Sequence, residues 1–167
     1  MATTYTLIDK TILTGTQASV TFTSISSAYT DLKIIISARG TTSGNTESIR
    51  ILPNGSSSSL SVRQLQGTGS GTYSASDTYW YVGEMPAATA TSNTFGSSEI
   101  TIPNYLGSNN KAASSDNVQE NNTSTAYINL NAFLWSNTAA ISSLTIQPNS
   151  NSFASGSSFY LYGIKNS

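Results

Sequence analysis

The chain has 167 residues, of which only 9% are charged against about a quarter in ordinary soluble domains, and seven basic and eight acidic side chains leave a net charge of −1. It contains neither histidine nor cysteine, which removes the commonest catalytic bases, nucleophiles and transition-metal ligands and rules out a disulfide. The bases Lys10, Lys33, Arg39, Arg50, Arg63, Lys111 and Lys165 are scattered, so no patch exists to neutralise the phosphates of a nucleic acid.

The length suits one domain, residues 1–167, with a two-layer core. Ser, Thr, Asn and Gly stand where charges usually do, a composition common among assembled or exported all-β proteins such as fibres, capsids and adhesins. The opening residues lack the basic start and unbroken apolar run of a secretory signal, and no later stretch reaches transmembrane length. The expectation is a soluble protein made in a cytoplasm, with residues 1–13 as a first strand or an assembly arm.

Taken in order, residues 4–13 predict a strand, Gly15 a turn, and residues 18–25 a half-buried strand with Val20 and Phe22 inward. Residues 31–39 carry consecutive Ile34, Ile35 and Ile36, which predicts a central strand covered on both faces. Residues 46–52 and 60–65 predict two strands joined as a hairpin through Pro53, Asn54 and Gly55. The glycine-rich stretch 67–71 is not followed by Lys and Ser or Thr, nor by a helical period, so it reads as a mobile loop and not a phosphate cradle. A bulky strand at 79–82 stops at Met85 and Pro86, and residues 95–103 alternate with Ile100 and Ile102 inward. Residues 104–124, poor in apolar side chains, form the longest irregular stretch.

The longest clean alternation is 125–135. Ala126, Ile128, Leu130, Ala132 and Leu134 make one apolar face, predicted to meet the core. Tyr127, Asn129, Asn131, Phe133 and Trp135 make the other, suited to partial cover by a loop, a neighbouring subunit or a ligand. Strands at 141–146 and 157–164 complete some eight to ten, with no convincing helix. The fold class is all-β, an antiparallel β-sandwich of jelly-roll type.

Without histidine or cysteine, the catalytic option left is a carboxylate pair. Asp77, Glu84, Glu99, Asp116 and Glu120 lie on separate segments whose spacing gives no convergence, so they read as solvated acids and the protein as no enzyme. Asp116, Asn117, Glu120 and Asn121 crowd oxygen donors together, but their spacing matches no calcium loop and turn hydrogen bonds account for them; no metal or other cofactor is expected. Sugar binding is the other option, with Tyr79 and the candidate ligand or interface residues Trp80, Tyr81, Tyr105, Asn109, Asn110, Phe133 and Trp135 supplying rings and amides. For Trp80 and Trp135, as strand residues, core or interface is the more usual place.

Several segments carry a resemblance: Tyr5-Thr-Leu-Ile-Asp-Lys-Thr-Ile-Leu13, Val20-Thr-Phe-Thr-Ser-Ile25, Tyr29-Thr-Asp-Leu32, Ser97-Ser-Glu-Ile-Thr-Ile-Pro-Asn-Tyr105, Leu134-Trp-Ser-Asn-Thr-Ala-Ala-Ile141 and Phe159-Tyr-Leu-Tyr-Gly-Ile164. Together they resemble small virion structural proteins of tailed bacteriophages, especially those of aquatic and cyanobacterial hosts. The likeness spans nearly the whole chain and weakens over residues 40–90. It implies a protein assembled in the host cytoplasm and exposed on the outside of the particle, and it carries over no catalytic or ligand residue. One placement is a capsid decoration or cement protein, a homo-oligomer, expected as a trimer, gripping the major capsid protein through its amino-terminal segment or lower loops. The other is a tail or fibre protein presenting the 104–124 stretch and its aromatics to host surface glycans. The absence of a coiled coil, a collagen-like repeat or a stalk favours the first. Neither placement calls for nucleic acid or a membrane.

Overall fold

In the computed structural model, which describes residues 4–122 and 125–165, twelve strands and no helix are formed by the described residues. They are β1 (Thr4–Ile12), β2 (Val20–Phe22), β3 (Asp31–Ala38), β4 (Thr46–Pro53), β5 (Leu60–Gly67), β6 (Thr72–Asp77), β7 (Trp80–Pro86), β8 (Gly96–Ile102), β9 (Lys111–Gln119), β10 (Tyr127–Trp135), β11 (Leu144–Pro148) and β12 (Ser158–Lys165). An eight-stranded sheet runs β1-β12-β3-β8-β9-β10-β5-β6 and a four-stranded sheet β2-β11-β4-β7, and the pairings are antiparallel.

Period-two alternation builds the core between the sheets. Leu32, Ile34, Ile36, Ile100, Ile102, Phe159 and Leu161 from the larger sheet meet Val20, Phe22, Ile49, Ile51, Leu144 and Ile146 from the smaller, and all are buried in one cluster. The architecture is thus the expected antiparallel sandwich. Residues 4–12 of the expected first strand or arm form β1 at the edge of the larger sheet, while residues 1–3 lie outside the described residues. β3 lies inside that sheet, yet Ile35 on its outer side is only partly covered, so the expected cover on both faces is incomplete.

Four expectations are corrected. β4 and β5 are not a hairpin: β4 pairs with β7 and β11, β5 with β10 and β6, and the segment between them crosses from one sheet to the other. Asn54 directs that crossing, with φ of 50°, by accepting the amides of Ser142 and Ser143 at 2.9 and 3.1 Å and donating to the Ala140 carbonyl at 2.9 Å. Part of the stretch read as irregular is β9, whose inward positions Lys111, Ala113, Ser115, Asn117 and Gln119 are mostly polar and give no apolar period; residues 123 and 124 of that stretch lie outside the described residues. The glycine-rich stretch is a tight turn closed by the Thr68 amide on the Gly71 carbonyl, and it joins β5 to the wholly exposed β6.

The fourth correction concerns the faces of β10, which are inverted. Asn129, Asn131, Phe133 and Trp135 point into the sandwich, whereas Ile128, Leu130 and Leu134 point away from it. The physical reason lies across the core in β7, the edge strand of the smaller sheet. A register shift beside Gly83 turns backbone groups of β7 toward the larger sheet. Amides from β9 and β10 satisfy them: Asn131 Nδ2 donates to the Val82 carbonyl, Asn117 Nδ2 donates to the Glu84 carbonyl, and Asn117 Oδ1 accepts the Glu84 amide, each at 2.9 Å. Asn129 Nδ2 donates to Asn117 Oδ1 at 2.9 Å, and its own Oδ1 accepts from Gln66 Nε2 at 2.6 Å. A buried edge strand would otherwise leave backbone groups unpaired, at a cost of about 1–3 kcal/mol each. Asparagine on the inner face of β10 is therefore structural.

Candidate functional site

The rings expected at a ligand surface are buried. Trp80, Phe133 and Trp135 sit in the core, with Trp80 stacked on Phe133 at 5.2 Å between centroids. Tyr105 is fully buried and its hydroxyl donates to the Ser26 carbonyl, while Tyr81 is buried beneath β5 and β6. Asn109 and Asn110 are exposed on the β8–β9 connection. That connection is closed from below by Lys111, whose Nζ donates to the Gly107 and Asn109 carbonyls at 2.6 Å each. Burial lowers the pKa of this lysine. The expected platform of exposed rings beside Asn109 and Asn110 does not form, because bulky apolar rings gain most by filling the gap between the sheets.

The oxygen donors read as a calcium alternative are also separated. Asp116 and Asn117 are successive residues of a strand and point to opposite faces, Glu120 is exposed and accepts the Asn122 amide at 2.6 Å, and Asn121 is buried with its Nδ2 donating to Gln119 Oε1 at 2.9 Å. Among the described residues, no group of three or more acids gathers as a metal site.

Two surface features stand out among the described residues. The first is the outer face of β5, β9 and β10, where Ile128 is 66% exposed, Leu65 55%, Leu130 53%, Val118 48% and Leu134 39%. Their register makes them contiguous: Leu130 lies opposite Leu65 on one side, and Ile128 opposite Val118 on the other. Ala132 and Ala112 extend the stripe, and Arg63 and Asp116 flank it. A groove of about 360 Å³ lined by Gly67, Val118, Ala126 and Ile128 continues it toward one end. Isolated exposed leucines are ordinary, but a contiguous apolar face marks a contact surface.

The second feature follows from the unequal size of the sheets. β5 and β6 end the larger sheet as β7 ends the smaller, and side chains of this overhang share one cleft with residues of β4 and β7. The result is an open cleft of about 270 Å³ lined by Gln64, Tyr73 and Asp77 from the overhang and by Ser48, Tyr79, Tyr81 and Glu84 from below. Glu84 Oε1 accepts from the Ser48 and Tyr81 hydroxyls at 3.0 Å each. Burial raises the Glu84 pKa and these hydroxyls partly offset it; burial, followed by the Glu84 charge, raises that of Tyr81. Arg50 covers one face of Tyr79, its guanidinium carbon 3.9 Å from the ring centre. Sequence reasoning named Glu84, Asp77, Tyr79 and Tyr81 separately; their convergence depends on the order of strands in the two sheets, which no local pattern announces.

No protein-family profile matches the chain, and no curated protein does. Among solved structures, it is similar to the galectin LEC-6 of Caenorhabditis elegans at 8% identity, over 94% of this chain and 96% of that one, with a TM-score of 0.37.

Proposed function

We propose that the protein is a non-enzymatic structural component of a tailed-bacteriophage virion, exposed on the particle exterior as a homo-oligomeric capsid decoration or cement protein. The observation that carries this reading is the uncovered apolar face of β5, β9 and β10. A sandwich that leaves Ile128, Leu130 and Leu65 half exposed at the centre of a sheet is built to be covered by another surface. The surrounding surface supports an assembly role: it is rich in hydroxyls and poor in charge, and so tolerates close contact without stranding buried ions. Resemblance to small virion proteins supplies the kind of assembly, and the major capsid protein is the partner to which the face, or the edge strand β1, would join.

The test is the number of copies of this chain per purified particle, measured by quantitative mass spectrometry against the major capsid protein. Hundreds of copies, commensurate with the capsid lattice, are the expected result. A handful would move the protein to the tail, and absence from the particle would overturn the reading.

A further inference from the structure

The cleft beneath the β6 overhang calls for its own explanation, because neither the core nor the apolar face uses it. Its floor holds a partly buried carboxylate, Glu84, fixed in direction by two hydroxyls, and its rim holds a second, Asp77. No lysine or arginine lines it. Arg50 borders the cleft behind Tyr79, but among the described residues Glu84 has no ion-pair partner; keeping a part-buried carboxylate so is costly, and such groups are often found where a ligand uses them.

The lining narrows the ligand by chemistry. Phosphates, carboxylates and other anions are disfavoured by the two acids, since the bordering cation, Arg50, is already engaged on the face of Tyr79. Apolar ligands are excluded because the walls present phenol oxygens, carboxylates and the Gln64 amide. An organic cation would need ring faces turned inward as a cage. Here Arg50 already occupies a face of Tyr79, and Tyr81 turns its hydroxyl edge toward Glu84. What remains is a neutral molecule with many hydroxyl donors and one flat C–H face. Carboxylates accept such hydroxyls, and the half-exposed ring of Tyr73 is available for the flat face. At about 270 Å³ the cleft has room for one ring and not for a long chain.

We propose that this cleft is a binding site for a single saccharide residue, with Asp77 and Glu84 accepting its hydroxyls and Tyr73 stacking on its ring. Saturation-transfer NMR on the intact protein tests this directly, with glucose, galactose and N-acetylglucosamine as separate probes and choline as the competing cation. The expected result is transfer to at least one sugar and none to choline. Tyr73→Ala and Asp77→Ala, each at an exposed position and each checked for an unchanged melting profile because Asp77 also accepts the Thr78 amide, are expected to weaken sugar binding by about tenfold or more. Silence from all three sugars, preferential binding of choline, or sugar binding that both variants retain in full would each overturn the assignment. The test is independent of where on the particle the protein sits.

Discussion

Glu47 is the residue whose chemistry runs most directly against its surroundings. It is 5% exposed, points inward beside Met85, and has one carboxylate oxygen on the Ser150 amide at 3.0 Å and the other without a hydrogen-bond partner. Burial raises its pKa; the Ser150 amide works the other way, and repulsion from Glu84 adds to the rise. A carboxyl group whose folded pKa exceeds its unfolded value binds protons more readily in the folded state, so stability falls as pH rises through the interval between the two. That interval begins at the ordinary glutamate value, about 4.3, and extends upward. Glu47→Gln removes the charge and keeps the shape. The variant should melt at a higher temperature than the parent at pH 7, and the gap should close as pH falls toward 4. A gap independent of pH in paired thermal melts would show that ionisation of Glu47 does not govern stability.

At the scale of the element, β7 is held to the larger sheet by side-chain amides rather than by a strand ladder, and Gly83 is the hinge of that arrangement. Its φ is 142°, a region that side chains strain to adopt, and a Cβ there would overlap the Asn117 side chain. Gly83→Ala should therefore both strain β7 and displace the amide that serves Glu84, a loss of about 3 kcal/mol or more in urea unfolding. Gly15→Ala, in open space, is the control and should be nearly silent. The same network sets how much could be read beforehand. Strands whose inner face is mostly apolar, such as β3, β8 and β12, were legible as strands, β3 from its run of isoleucines and β8 from the alternation of Ile100 and Ile102. β10 was legible as a strand but not in its orientation, because alternation gives a period and not a sign. Leu130 and Ile128 looked inward by hydropathy, while the opposite face won by carrying Phe133, Trp135 and the amides that β7 needs. β9 and β6 left no apolar trace, since one turns amides inward and the other is exposed throughout. The tyrosine cleft was illegible for a related reason: Tyr73 and Glu84 line one cleft only through the pairing of β6 with β5 at the end of the larger sheet.

For the whole molecule, unequal sheets leave more outer surface than one core can use, and the apolar face of β5, β9 and β10 is where that surplus concentrates. Full burial of a leucine or isoleucine is worth about 1.5–3 kcal/mol, so covering five half-exposed side chains contributes on the order of 5 kcal/mol. Association itself costs about 4–15 kcal/mol in lost freedom. The stripe alone thus roughly breaks even, and a stable joint must enlist its polar rim, including Arg63 and Asp116, or repeat the contact across a lattice. On the proposed reading the apolar centre is needed either way. Replacing Ile128 and Leu130 together by aspartate places two charges there while disturbing no core contact, because both side chains already face solvent. The variant should fold with an unchanged melting profile, run as a monomer by light scattering under conditions where the parent associates, and fail to join particles. If it still associates and is incorporated at the parent's copy number, the face is idle, and the joint must lie elsewhere, with the edge strand β1 and its exposed Tyr5, Leu7 and Ile12 as the next surface to alter.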